Sequence, residues 1–340
     1  MRNRIDAWTH ILPPAYFQRL QGLGSASGRL KRWLSLRSLH DLETRFRLMD
    51  EFDDYAQVLT PSLPPIEDLA EAEEAGELAR IMNDGLAEIA GRHPDRFPAF
   101  AAAVSLLDPE GAVREIERAQ RLGARGIQIC TNVRGAPLDE ERFEVIFEAI
   151  AERDLALWLH PARTPDFADY ATETRSRYEI WWCFGWPYET SAAMARLVFS
   201  GLFDRHPKLR IVTHHLGAMI PFFAGRIAQG WGEQMGTRTA DQEAHLLPKP
   251  LGRPPSDYFR MFYGDTAMSG SSAATACGLD FFGPEHVLFA SDFPYDVEGG
   301  RFLVRATMRA IEELELSEGV RSRIFRDNAL AFLALAPQTP

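Results

Sequence analysis

The chain has 340 residues, 46% of them hydrophobic, and a formal net charge of -11, which is ample apolar material for one large α/β domain. Its acidic balance supplies no general basic field, so nucleic acid and anionic membrane surfaces are excluded as expected partners, and a small ligand held by local charge is expected instead. Three widely spaced cysteines, Cys130, Cys183 and Cys277, form neither a disulfide framework nor a paired metal motif. The opening MRNRIDAWTHILPP has no apolar core after its arginines, and no run of about 18 apolar residues occurs, so a cytoplasmic, non-membrane protein is expected.

In chain order, Ile5 to Trp8 reads as a first strand that breaks at Thr9-His10 and Pro13-Pro14. Residues 15–40 read as an inserted loop carrying basic residues, Arg32 and Arg37 among them, whose ordinary role is surface solvation. Asp41 is a plausible N-cap for a helix through Leu42, Phe46 and Met49, and Tyr55 to Thr60 is a second strand. A long helix is predicted over 67–92 from the spacing of Leu78, Met82, Leu86 and Ile89. A strand over 97–106, a helix opened by Asp108-Pro109 and a strand over 125–131 follow. Then come a helix over 139–153 and a strand over 155–159 that ends at His160-Pro161.

Residues 163–189 are polar, then aromatic, with Trp181, Trp182, Phe184 and Trp186, and are expected to form a lid or interface insertion. Beyond them the pattern predicts a helix over 191–204, a strand over 209–213 and a helix over 218–229. A third insertion covers about 232–257. A strand over 258–263, a helix over 272–282, a strand over 286–290 and two closing helices complete the reading.

Eight strands alternating with helices argue for a parallel sheet closed as a (β/α)8 TIM-like barrel, one domain over 1–340 with three insertions. No Gly-rich phosphate cradle follows any strand, which removes the usual reason for an open sheet. In a barrel the C-terminal strand ends converge on one face. Four of them carry possible metal donors: His10, His160, His214 or His215, and Asp292. Because strand side chains alternate, His214 and His215 are expected to face opposite ways, with one of them in the pocket.

The segments IDAWTHILP, LWLHPA, THHLGAMIPFFAGRI and VLFASDFPYD resemble, in order and over nearly the whole chain, the motifs of the amidohydrolase-related family typified by aminocarboxymuconate-semialdehyde decarboxylase. The resemblance implies a distorted barrel with one divalent metal, zinc first and manganese second, held by His10, His160 and Asp292. It further implies His215 as the catalytic histidine, with His214 left as an outward or supporting neighbour. Arg226 stands where decarboxylases of this family carry an arginine that binds a substrate carboxylate in a neighbouring subunit, so a homodimer or larger homo-oligomer is expected.

One position departs from the family pattern. The first strand normally ends in His-x-His or Glu-x-His, and Trp8 replaces the first donor with an indole that cannot coordinate a cation. Trp8 and Trp186 are therefore assigned, with Arg226, to contact with a small anionic substrate. The expected activity is metal-dependent non-oxidative decarboxylation of an aromatic or unsaturated carboxylate, with His215 as general acid/base. The alternatives are a hydrolase of a lactone or similar ester-like bond, in which Asp292 accepts the proton, and a metal-free binding barrel. Asp265-Thr266 is expected to brace the rim.

Overall fold

The computed structural model describes residues 2–23, 34–235, 242 and 250–335. Eight parallel strands follow one another around the sheet: β1 Arg4–Ile11, β2 Tyr55–Pro61, β3 Ala99–Ala103, β4 Gly126–Cys130, β5 Ala156–His160, β6 Arg210–Thr213, β7 Tyr263–Asp265 and β8 Val287–Leu288. The chain beyond β8 returns to β1: Ala7 N–H donates to Phe289 O at 2.8 Å, His10 N–H donates to Phe293 O at 2.7 Å, and Thr9 bridges Phe293 in parallel. The sheet is thereby nearly closed into the expected barrel.

Most predicted helices form where their apolar spacing places them. Leu42–Met49 starts on Asp41, whose carboxylate accepts from Thr44 N–H, and Ser272–Phe282 matches its predicted limits. Ala72–Arg92, Pro109–Arg121 and Glu144–Glu152 cover the outside of the barrel. Three predictions fail locally. The described part of 15–40 is not all loop, because Pro14 opens a helix to Gly22, a favoured use of proline at a first turn. The strand expected over 258–263 is a helix, Pro255–Phe259, then the short β7; again a proline starts the helix, and Tyr258 and Phe259 are buried from it. The helix expected from Ala218 begins only at Ala224, because His215 to Ala218 form a left-handed turn and the residues from Met219 to Phe223 continue as turns.

The barrel interior is filled from its N-terminal end. Ala99, Ala101, Ala156, Val58, Val212 and Leu288 surround Trp158, which crosses the lumen and donates its indole N–H to Ala7 O at 3.0 Å. Gly126 makes the crossing possible, since a Cβ there would stand 2.2 Å from Trp158. Phe332, from the closing helix Asn328–Phe332, packs edge-on against Trp158 at 5.0 Å and caps this end.

In β1 the pairing with β2 slips by one residue between Asp6 and Thr9. Ile5, Ala7 and Trp8 all join the inner cluster, so after the slip Trp8 and His10 face the lumen. Asp6 and Thr9 face outward, where Arg45, fully buried on the first barrel helix, grips the strand end. Its guanidinium donates to Gln57 Oε1 at 2.7 Å, to His10 O at 2.7 Å and to Thr9 Oγ1 at 2.8 Å.

Candidate active site

Counting inward positions by two along each strand leads to the site. Trp158 is followed by His160, Val212 by His214, and Ala290 by Asp292; with His10 from β1 they meet above the tryptophan floor. Each histidine has its Nδ1 engaged. His10 Nδ1 donates to Pro61 O at 2.7 Å, His160 Nδ1 to Pro161 O at 2.7 Å, and His214 Nδ1 to the Asp265 carboxylate. What remains is three Nε2 atoms directed at one space, and the donor nitrogens of His10, His160 and His214 lie within 4.8 Å of one another.

Asp292 Oδ1 stands 3.3 Å from both His10 Nε2 and His214 Nε2, and all three atoms are buried without a hydrogen bond. A carboxylate oxygen against two imidazole nitrogens calls for positive charge between them. Burial opposes ionisation of Asp292, but the His214 and His10 imidazoles outweigh it and hold the carboxyl below its usual range. Burial likewise disfavours protonation of His214, yet the Asp265 and Asp292 carboxylates on its two nitrogens raise it to about 10. Burial, then the charges of His214 and His10, push His160 well below an ordinary histidine. Three buried nitrogens and a carboxylate oxygen, with the other ring nitrogens fixed by outer partners, fit a divalent metal.

His215 enters by a different route. His215, Leu216 and Ala218 each have φ of 55°, and Gly217 has 71°, a left-handed turn that ends strand geometry at once. The turn swings His215 back over the site, with its ring centroid 4.0 Å from that of His214. The two histidines therefore share the pocket, against the expectation from alternation. His214 in particular is neither outward nor peripheral.

Two devices hold the turn. Asp265, buried at the end of β7, accepts from Leu216 N–H at 2.9 Å and Ala267 N–H at 3.1 Å through Oδ1, while Oδ2 takes the His214 ring. This is the brace expected of Asp265. Leu216 drops into a slot that exists only because Gly264 and Gly278 lack side chains, a Cβ on Gly278 falling 2.2 Å from Leu216 Cγ. Burial, followed by the neighbouring His214, lowers His215 to about 4, and its Nδ1 is buried with no hydrogen bond.

Aromatic rings line the site. Trp8 is stacked on His214 at 4.2 Å and 30°, and its indole donates to Gln128 Oε1 at 3.2 Å. Gln128 in turn donates to Pro61 O at 3.0 Å, the same carbonyl that orients His10. Trp186, on the helix Gly185–Phe199, lies near-parallel to His215 at 6.4 Å and edge-on to His160 at 5.8 Å. Tyr295 stands 5.1 Å from His10 and shares a 2.6 Å hydrogen bond with Ser62.

Arg226 is exposed and outside this cluster; with Tyr188, Met219, Phe223 and Trp231 it lines a separate cavity of about 1100 Å³. Arg37 pairs with Asp41 on the surface at 2.9 Å, and Arg32 lies outside the described residues. Sequence reasoning missed Arg45, Gln128 and Tyr295. For Arg45 a signal existed, since it shares a helix face with Leu42, Leu48 and Met49 and so had to be buried.

The profile of a family described as amidohydrolase matches residues 5–335. Gamma-resorcylate decarboxylase of Rhodococcus jostii is 30% identical over 98% of this chain and 99% of its own length. 2-Amino-3-carboxymuconate-6-semialdehyde decarboxylase of Dictyostelium discoideum is 26% identical over 98% and 92%. Among solved structures, 5-carboxyvanillate decarboxylase from Novosphingobium aromaticivorans, complexed with manganese and 4-hydroxy-3-methoxy-5-nitrobenzoic acid, aligns with a TM-score of 0.81 and 26% identity, covering 98% of this chain and 96% of that one.

Proposed function

This chain belongs to the amidohydrolase family, and from that premise we propose that it is a metal-dependent, non-oxidative decarboxylase of a small hydroxylated aromatic or unsaturated carboxylate. The observation that carries the reading is the convergence of His10, His160, His214 and Asp292 on one buried space with His215 beside it. Relatives named as decarboxylases favour C–C cleavage over the hydrolytic alternative, and the donor set favours a metal-holding barrel over a metal-free one.

His10, His160 and Asp292 would hold the ion, which when bound supplies positive charge for the substrate carboxylate and its neighbouring oxygen. Zinc suits a nitrogen-rich donor set, and manganese accompanies the related carboxyvanillate enzyme. The chain's own residues do the rest. His215 carries the proton and delivers it to the carbon bearing the carboxylate. The bond to that carboxylate then breaks, its electron pair returns to the unsaturated system, and CO2 departs. An anionic substrate beside His215 raises its basicity, so the free-protein value of about 4 is the starting point for loading a proton, not the working one. Trp186, near-parallel to His215, offers a flat wall to a flat substrate, with Trp8 closing the inner side. Arg226 is assigned to the carboxylate of a substrate in a second copy of a cytoplasmic homodimer.

Metal-reconstituted protein assayed with a panel of hydroxybenzoates and lactones tests this. CO2 release from a carboxylate is expected; lactone opening without CO2 would overturn the lyase reading. Mixing His215→Ala with Arg226→Ala protein is expected to restore part of the activity, and no recovery would remove Arg226 from a shared site.

A further inference from the structure

The first strand offers an indole where its relatives' pattern offers a ligand, yet the site is not short of donors. His214 has every feature of a coordinating residue. It follows Val212 in inward register, its Nδ1 is fixed by a buried carboxylate, and its Nε2 is buried without a hydrogen bond beside those of His10 and His160. A carboxylate on the far nitrogen of an imidazole is the usual outer support of a metal-bound histidine.

Position 8 and position 214 are also in direct contact. Trp8 lies flat on the His214 ring at 4.2 Å and spends its only N–H on Gln128. The indole thus occupies the volume of the missing donor and packs the ring that stands in for it. The His214 Nε2 stands 3.3 Å from the Asp292 carboxylate, across the space that a cation shared by the two side chains would occupy.

We propose that His214 is a metal ligand that replaces the donor absent at Trp8, so that the centre is His10, His160, His214 and Asp292. This rests on reading the site as a divalent metal centre.

X-ray absorption at the zinc edge of the zinc-loaded, otherwise unaltered protein counts imidazoles directly. Three are expected, and two would overturn the assignment. Metal titration of apo-protein variants gives a second measure. His214→Ala and His10→Ala should each weaken zinc binding by at least about tenfold, while His215→Ala should stay within about threefold of the parent. In the His214→Ala background, Trp8→His should recover affinity and Trp8→Phe should not, which separates a lost ligand from a damaged fold. Loss of binding in His10→Ala but not in His214→Ala would overturn this assignment and leave the metal centre standing. A parent protein that takes up no zinc or manganese would overturn both.

Discussion

The ends of β1 and β6 supply the site by opposite means. At β1 the chain stays extended, and one slip in pairing sets which residues face inward; from there Trp8 and His10 follow by counting in twos. At β6 the strand stops at Thr213, and only His214 follows the count. His215 is delivered by a left-handed turn whose three non-glycine residues cost roughly 1–2 kcal/mol each in backbone strain. Asp265 and the Leu216 slot offset that strain. A strand aims alternate residues at a site, or two adjacent ones across a slip such as that in β1; at β6 the two adjacent histidines are brought together by leaving the strand.

The sharpest way to break the contrast is at the turn's product. His215→Ala should reduce CO2 release by about 10²- to 10⁴-fold with zinc content unchanged; undiminished turnover would assign the proton to another group. Leu216→Ala attacks the turn's anchor, and a cost of about 2–5 kcal/mol is expected in denaturant unfolding. A cost under about 1 kcal/mol would mean that Asp265 alone holds the turn.

The β1 side can be probed through pH. Asp6 sits outward of the slip, fully buried, accepting from Tyr55 at 2.6 Å and from Ser291 N–H at 3.0 Å. Burial raises its pKa from 3.8 to about 6, although the Ser291 and Tyr55 hydrogen bonds oppose the rise. Because the folded value is the higher one, the stability linked to this group is present at low pH and is lost as pH rises through 6. Asp6→Asn should therefore gain on the parent protein between pH 4 and 7.5 by up to about 3 kcal/mol. A constant difference across that range would refute the buried, titrating carboxyl. The smallest effect is expected at the neighbouring ring: Trp8→Phe keeps the stack on His214 but strands Gln128 Oε1, for about 1–3 kcal/mol in thermal or denaturant unfolding. An unchanged stability would show that Gln128 finds another donor.

The same contrast explains what could be read from the residues alone. The barrel follows from strand-helix alternation, and His10, His160 and Asp292 were legible because each lies at or just past a strand end. His214 was misjudged because the alternation rule was carried one residue too far, past Thr213 into a turn whose left-handed dihedrals nothing but Gly217 announced. The helix at Pro255–Phe259 was hidden by an aromatic run that suits a strand equally well; tertiary burial of Tyr258 and Phe259 decided it. Arg45 and Gln128 act through partners some 12 to 120 residues away, Gln57 and Trp8, and such pairings are set by the closed barrel and not by local pattern.

The tryptophan floor has a consequence for traffic. Among the described residues, Trp158 across the lumen and Phe332 at its far end close the N-terminal side of the barrel. The open side of the site is then the C-terminal one, beside Trp186 and the half-exposed stretch that precedes it. A ligand and whatever is formed from it would then share that side, so the larger ring must leave before another of its size can enter.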